Sequence, residues 1–302
     1  MSSRCRWNWS ALLTAVSIFT NVQAQSGSSD YVARPVRHFT APADAPMFMP
    51  TDVAVSSDGR VHVADGVNSR VLMFSPDAAF LVEVRAVGEQ GLVNPVGLDV
   101  QSDGTLWIAD PGLGLVIGRN SDGTLRKVIR PPGGGSTDLT DVAVSPDGSA
   151  IWIVNNDGHS LGRFRIESDS WDGMLPANPG AKLFHYPFMV ATAADRLYVT
   201  DVVNGRVRSI VGLSTLGPTL GDYGLSLGDL YRPKGVAVDD QSRVWVTDSV
   251  LGVVQVFSSD GVSSAQVRTP DGSMLRLSAP CGLNVRGDQL FIVEMSAHRV
   301  AQ

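Results

Sequence analysis

Residues 50–77 read PTDVAVSSDGRVHVADGVNSRVLMFSPD, and this stretch decides the fold of the chain. Two short alternating runs, VAV and VHVA, flank an Asp-Gly pair, and a third run, VLMF, follows a polar spacer. Alternation of apolar and polar residues is typical of half-buried strands, and Asp-Gly between two such runs is a strong hairpin signal. The stretch therefore predicts short antiparallel strands joined by tight turns.

The same pattern recurs along the whole chain. Each copy contains a strand that closes on an acid or an amide, and the steps between these strands are 45, 45, 46, 47 and 46 residues. The six strands are VHVAD 61–65, LWIAD 106–110, IWIVN 151–155, LYVTD 197–201, VWVTD 244–248 and LFIVE 290–294. A companion strand precedes each one, so that the copies start near residues 50, 95, 139, 187, 233 and 280. This period, without any helical pattern, predicts an all-β, six-bladed β-propeller.

The two ends of the chain are predicted to meet in the last blade. The sixth copy stops at HRVAQ, after its third strand, while YVARPVRHF at 31–39 has no copy of its own. An unpaired strand edge is a liability in a sheet protein. We therefore expect 31–39 to supply the fourth strand of the last blade and to close the ring.

The first 24 residues resemble a secretory signal peptide. Arg4 and Arg6 precede a short apolar stretch at 11–19, and 22–24 form a small-x-small cleavage site. This layout is typical of an export signal, and the apolar stretch is too short to span a bilayer. We expect cleavage after Ala24, a single propeller domain over 25–302, and a soluble, exported protein in the periplasm or the extracellular medium.

Charge and cysteine content restrict the partners. The formal charge is −6, and loss of Arg4 and Arg6 with the signal would make the mature chain more acidic still. An acidic chain with no basic run is a poor candidate for nucleic acid or anionic lipid, so neither nucleic-acid binding nor membrane insertion is expected. Of the 2 cysteines, only Cys281 would remain, which predicts a fold without an internal disulfide.

The repeat itself resembles a known family. The pattern P-x-[DG]-[VL]-A-V followed by D-x-x-N-x-R-[IV] is similar to the NHL repeat. Its second half is complete at 65–71 and 201–207 and partial at Glu294 with Arg299. The resemblance covers essentially the whole mature chain. It implies a six-bladed propeller and little about function, because propellers host many unrelated activities.

The first repeat also resembles the peptidyl-hydroxyglycine alpha-amidating lyases. That family is a six-bladed propeller whose zinc is held by histidines at the starts of strands and whose catalytic tyrosine lies in DGYxNSR. Here the segment is DGVNSR, one residue shorter, with Val67 beside the gap. The positions matching the zinc histidines hold other residues, namely Thr51, Val96, Thr140, Phe188, Lys234 and Cys281. Without imidazoles a zinc lyase cannot polarise its substrate, so no catalytic residue is predicted.

Metal-dependent chemistry remains an alternative. Gluconolactonase-like propellers, the second enzymatic resemblance, bind a divalent cation through acidic and amide ligands near the channel mouth, where Asp52 and Asp141 could contribute. His159 and His298 fall in opposite blades and cannot share a metal, although His185 could approach His159. Two histidines are fewer than the three protein ligands of a typical catalytic zinc site. No metal ligand is therefore predicted, and a zinc- or calcium-assisted lyase or lactonase stays open as the second hypothesis.

Three further groups have a structural explanation. His62 stands where other repeats carry a larger ring, so we expect it in the core. Cys281, at the channel mouth, is expected to be an inert thiol rather than a nucleophile. The acids and the amide that close the strands can satisfy backbone N–H groups of turns; they are Asp65, Asp110, Asn155, Asp201, Asp248 and Glu294.

A ligand site is predicted at the channel mouth near blades four and five. The long connections at 171–188 and 212–233 flank blade four and are rich in aromatic residues, which either cover the blade ends or form an interaction patch. The candidate binding residues are Thr51, Asp52, Thr140, Asp141, Phe188, Lys234, Tyr223 and Tyr231. The sequence favours a non-catalytic binding or scaffolding module with a protein or glycan partner and no required cofactor.

Overall fold

The structure is a computed structural model that describes residues 18–24, 30–132, 137–178, 181–212, 215–297 and 299–301. Strands dominate this part of the chain, and the helices assigned in it are two short 3-10 turns, Gly66–Asn68 and Met295–Ala297. None of the helices in these ranges is long and apolar enough to cross a membrane. The all-β prediction is thus confirmed.

The strands follow the sequence repeat. The chain starts with β1 (Ile18–Ala24) and β2 (Tyr31–Phe39). Repeat one contains β3 (Val53–Val55), β4 (Val61–Asp65), β5 (Arg70–Phe74) and β6 (Phe80–Val84), followed by the small hairpin β7 (Ala86–Val87) and β8 (Gln90–Gly91). Repeat two contains β9 (Gly97–Val100), β10 (Leu106–Asp110), β11 (Leu115–Arg119) and β12 (Leu125–Ile129). Repeat three contains β13 (Leu139–Val144), β14 (Ala150–Asn155), β15 (Ser160–Arg165) and β16 (Ser170–Leu175).

The later repeats have the same order. Repeat four contains β17 (Pro187–Ala193), β18 (Arg196–Asp201), β19 (Arg206–Val211) and β20 (Thr215–Leu220). Repeat five contains β21 (Pro233–Val238), β22 (Val244–Asp248), β23 (Val253–Phe257) and β24 (Ser264–Arg268). Repeat six contains β25 (Pro280–Arg286), β26 (Gln289–Glu294) and β27 (Arg299–Ala301). Each of repeats one to four forms its own four-stranded antiparallel sheet.

Repeats five and six do not form separate sheets. Strand β2 pairs in parallel with β24, through Tyr31 and Val267, and antiparallel with β27, through Phe39 and Val300. Strand β1 pairs with both β2 and β26. The result is one nine-stranded sheet, so the propeller arrangement rests on five large sheets where six separate blades were predicted. The physical reason is that β2 runs along the edges of both repeats and joins them.

Apolar cores fill the spaces between neighbouring repeats. In β10, Trp107 packs toward repeat three with Val142, whereas Ile108 packs toward repeat one with Val71. Successive side chains of a strand point to opposite faces, so one second strand serves two interfaces. The prediction that His62 belongs to this core is confirmed, because it is buried.

Candidate functional site

The residues that close the second strands hold the loops at one end of the propeller. Asp110 accepts hydrogen bonds from the N–H groups of Val93 and Asn94 at 2.8 and 2.9 Å. Asp248 does the same for Tyr231 and Arg232 at 2.6 and 2.9 Å. The structural explanation of these acids is therefore confirmed, and each one positions a loop beside the mouth instead of facing a ligand.

The threonines at the mouth join neighbouring repeats. The Thr51 hydroxyl donates to the Val96 carbonyl and the Thr140 hydroxyl donates to the Phe188 carbonyl, both at 2.7 Å. A hydroxyl that is committed to a backbone oxygen has its only hydrogen occupied. The hydroxyl hydrogens of Thr51 and Thr140 therefore serve the scaffold.

Asp52 and Asp141 are buried between repeats. The Leu98 N–H donates to Asp52 and the Val190 N–H donates to Asp141, both at 2.8 Å. Gly97 makes room for this arrangement, because a Cβ atom there would lie 2.5 Å from the Asp141 Cα. Both carboxylates therefore act as acceptors for the first strand of the following repeat.

Asp99 is a third, half-buried acid of the channel that the sequence reasoning missed. It accepts from Val144 N–H at 2.7 Å and, with Asp52 and Asp141, lines a cavity of about 180 Å³ in the central channel. An alignment of the repeats would have found it, because the equivalent positions in the other repeats hold alanine or asparagine. Those residues are Ala54, Ala143, Ala191, Ala237 and Asn284.

Burial dominates the electrostatics of this acid cluster. It raises the pKa of Asp52 to about 8 and that of Asp99 to about 6. Burial also raises the pKa of Asp141 well above its usual range, with the charge on Asp52 adding to the effect. Desolvation disfavours the charged form of a carboxyl group. The channel consequently contains carboxyls that hold protons near neutral pH.

A cationic side chain, Lys234, lies at the mouth of the channel. The Lys234 ammonium group lies 3.7 Å from the centroid of the Phe188 ring, and burial lowers the pKa of Lys234. The neighbouring Cys281 thiol is fully buried, and burial raises its pKa to about 12. A thiol that holds its proton at neutral pH is a poor nucleophile. The inert role of Cys281 stays a prediction.

Tyr223 and Tyr231 form an aromatic pair on the loop before β21. Their ring centroids are 5.1 Å apart with the planes tilted by 38°, and Tyr223 is 60% exposed. Leu225 in the same loop is 73% exposed, and Val250 in the adjoining turn is 61% exposed. The Ser249 N–H donates to the Arg232 carbonyl at 3.1 Å, which joins that turn to the loop. We call Tyr223, Leu225, Tyr231 and Val250 the apolar patch.

His159 and His185 do approach one another, as the sequence suggested. Their ring centroids are 5.7 Å apart, and His159 Nδ1 accepts a hydrogen bond from the Tyr186 N–H at 3.1 Å. His298 lies outside the described residues. Among those that are described, no group of three or more His, Cys, Asp or Glu side chains could hold a metal ion.

Comparisons with known proteins identify the fold. No protein-family profile matches the chain, and no curated protein sequence does so. Catalytically inactive virginiamycin B lyase from Staphylococcus aureus, solved with quinupristin, is similar over 95% of this chain and 94% of its own, with a TM-score of 0.63 and 14% identity. A gluconolactonase from Xanthomonas campestris has a TM-score of 0.63 and 18% identity, covering 84% of this chain and 85% of its own.

A third similar structure has no assigned activity. It is a protein of unknown function from Bacteroides thetaiotaomicron, with a TM-score of 0.67 and 16% identity, covering 85% of this chain and 70% of its own. At such identities the likeness supports the β-propeller fold alone, since one propeller fold carries many unrelated functions. The NHL resemblance adds no family membership to this conclusion.

Proposed function

We propose that this chain is an exported binding module that holds a protein partner at the channel mouth, beside repeats four and five. The observation that carries the proposal is the apolar patch, because large exposed apolar side chains that lie together mark interaction surfaces. Tyr223 and Tyr231 supply the aromatic anchors that are enriched at such sites. The Lys234–Phe188 pair at the adjacent mouth adds one cationic group.

A protein partner fits this surface better than a glycan. Leu225 and Val250 are aliphatic and exposed, and aliphatic side chains offer a sugar neither a flat ring nor a hydrogen bond. The polar groups that would orient a sugar at the mouth are already engaged, as the hydroxyls of Thr51 and Thr140 illustrate. A partner that presents apolar side chains would match the patch.

The proposal includes a six-bladed, closed ring of NHL type. Its support is the pairing of β2 with β27 and the hydrogen bond from Gly282 N–H in repeat six to the Thr51 carbonyl in repeat one, at 2.9 Å. Five of the six copies carry the proline that starts the NHL-like pattern, and in repeats four, five and six it is the first residue of the first strand; these are Pro50, Pro95, Pro187, Pro233 and Pro280.

Site-directed photocrosslinking tests the binding surface. A photoreactive phenylalanine analogue at Leu225 is expected to crosslink a defined partner in cells that make the protein. The matched control carries the analogue at Val262, which is 85% exposed and lies in the turn between β23 and β24, at the opposite strand ends. Tyr223→Ala with Tyr231→Ala should abolish the adduct formed from position 225 without changing the far-UV circular dichroism.

Equal crosslinking from both positions, or none from position 225 in folded protein, would contradict the proposal. The purified protein can also be tested on a glycan array. Binding there that is lost in the double tyrosine variant would show that the partner is a sugar and not a protein. A loss of folding in that variant would instead show that the rings only cover the blade ends.

The alternative is a metal-assisted lyase or lactonase. Its support is the structural likeness to a lyase and a gluconolactonase, but the described side chains lack a converging ligand group. Elemental analysis of the mature chain, 25–302, purified without chelators, decides between the two. One zinc or calcium ion retained per chain would favour the enzyme, whereas metal-free protein that still crosslinks from position 225 would favour the binding module.

A further inference from the structure

One interface between repeats is built differently from the others. At four interfaces an aromatic ring of one repeat and an apolar side chain of the next belong to the same buried cluster. These pairs are Trp107 with Phe164, Trp152 with Ile210, Tyr198 with Phe257, and Phe291 with Phe74. At the interface of repeats one and two, the equivalent strand positions hold His62 and Arg119. Two polar residues thus replace an apolar pair at one place.

The replacement lines a cleft with polar side chains. His62 and Arg119 both line a cavity of about 190 Å³ at the end of the propeller opposite the mouth. Ser57, Ser102 and Ser121 contribute further lining from the turns of the two repeats. A cavity of about 330 Å³ lies at the corresponding place between repeats three and four, although Trp152 lines it, so the polar lining and not the cavity itself distinguishes the interface of repeats one and two.

His62 lacks the partner that equivalent rings have. Trp107 donates its indole N–H to Gln101, six residues earlier, at 3.2 Å, and Trp245 donates to Asp239 at 2.8 Å. The residue six before His62 is Ser56, whose short hydroxyl donates to Asp58 at 2.5 Å. His62 is only 5% exposed, and its Nδ1 atom has no hydrogen-bond partner.

Three arginines and three aspartates lie around the cleft, and the third acid, Asp122, acts on Arg119 through its charge without forming an ion pair with it. Asp58 pairs with Arg60 at 3.2 Å, and Asp103 pairs with Arg126 at 2.7 Å. Arg119 forms no ion pair with the side chains that the structure describes, and its guanidinium group donates only to the Asn120 carbonyl, at 3.4 Å. A half-buried guanidinium group with free donors is the group that carboxylate and phosphate recognition uses most.

We propose that this cleft binds a small oxyanion, held between the Arg119 guanidinium group and Nδ1–H of His62. Phosphate, sulfate and carboxylate groups share the required chemistry, because each offers several acceptor oxygens and a negative charge. The serine hydroxyls that line the cleft supply neutral donors. The site is independent of the proposed partner surface, which lies at the other end of the strands.

Isothermal titration calorimetry with inorganic phosphate, sulfate and acetate, at constant ionic strength set with chloride, tests the site. One saturable site is expected for at least one of these anions. The anion that binds most tightly shows whether the natural ligand carries a phosphate, a sulfate or a carboxylate group. His62→Trp and Arg119→Phe recreate the pair found between repeats two and three and should remove the two polar groups from the cleft while keeping the fold. Each is expected to weaken binding by about tenfold or more, since a charge-assisted hydrogen bond is lost.

Arg163→Met is the matched control. Arg163 is half-buried, as Arg119 is, but it belongs to repeat three and pairs with Asp172 at 2.6 Å, so its loss should leave the affinity unchanged. Absence of saturable binding in folded wild-type protein would overturn the proposal, as would binding that both cleft variants retain. If the variants do not fold, histidine-labelled wild-type protein gives the answer. The NMR signals of the His62 ring should shift as the anion is added and stop shifting when the site is full. Unchanged signals would overturn the proposal.

Discussion

The Lys234 ammonium group lies over the Phe188 ring, 3.7 Å from its centroid, although the two residues belong to neighbouring repeats. The negative face of an aromatic ring attracts a cation. Burial nevertheless lowers the pKa of Lys234, so the surroundings disfavour its charge on balance. A charge kept at the mouth against this penalty is consistent with a role in binding.

Replacement of Lys234 by methionine should therefore stabilise the fold. Methionine keeps an unbranched apolar chain over the ring and removes the buried charge, so the free energy of unfolding should rise by roughly 1 kcal/mol. The folded state binds the lysine proton less tightly than the unfolded chain. The wild type should consequently gain stability relative to Lys234→Met as the pH rises toward 10.5, the ordinary pKa of lysine. Urea denaturation at several pH values measures both effects, and a destabilised variant would refute the argument.

Asp52→Asn should change how stability depends on pH. Burial raises the pKa of Asp52 from 3.8 to about 8, so the folded state binds more protons than the unfolded chain between these values. Its contribution to stability is then fully present below pH 3.8 and is lost as the pH rises through about 8. The asparagine variant keeps a carbonyl acceptor for Leu98 N–H and has no charge. The free energy of unfolding of the wild type minus that of the variant should fall by about 1 kcal/mol or more over this range.

The difference between wild type and variant is used because acids with a lowered pKa change the stability with pH in the opposite direction to Asp52. Hydrogen bonds from Ser145 and Ser149 lower the pKa of Asp147 to about 2, and this contribution cancels when the variant is compared with the wild type. Asp99→Asn is a second check. Because the pKa of Asp99 is about 6, its contribution to stability should be lost at a lower pH than that of Asp52. A difference that is flat from acid to alkaline pH would contradict buried, protonated carboxyls in the channel.

The repeat was predictable from sequence. The candidate sites, however, lie where single residues differ from the repeat. The strands Val61–Asp65 and Val244–Asp248 fall where the alternation placed them, because period-two patterning and Asp-Gly turns act locally. The sharing of β2 between repeats five and six depends on long-range pairing, which no local pattern encodes. Asp99 and Arg119 were missed because each is ordinary in its own strand. Their meaning appears only when one repeat is compared with the others and the cavities that the two side chains line are seen.

Gly97→Ala should destabilise the contact between repeats two and three. A Cβ atom at Gly97 would lie 2.5 Å from the Asp141 Cα, and a backbone atom cannot move away without disturbing the strand. Overpacking of this kind costs about 1–3 kcal/mol. Gly91→Ala is the control, because a Cβ atom there meets nothing within 4 Å. Thermal unfolding followed by circular dichroism should show a lower midpoint for Gly97→Ala alone, and equal midpoints would disprove the close approach.

Arg70→Met should be among the most damaging substitutions in the first repeat. Arg70 is 1% exposed and donates to Asp65 at 2.7 Å, to Glu83 at 2.8 Å and to two backbone carbonyls. Its loss would leave the fully buried Asp65 carboxylate without its cation. Breaking a buried pair from one side costs about 3–5 kcal/mol.

Arg206 provides a control at the same position of repeat four. It donates to Asp201 at 2.9 Å, but its side chain is 26% exposed, and Arg208 lies 4.0 Å from the same carboxylate. Water and the second arginine can therefore compensate when Arg206 is replaced by methionine. We expect a loss of about 1–2 kcal/mol for Arg206→Met, clearly less than for Arg70→Met. Guanidinium denaturation of the two variants gives the comparison. Both variants keep an apolar side chain of similar length, so equal losses would mean that the burial of the guanidinium group does not decide the cost.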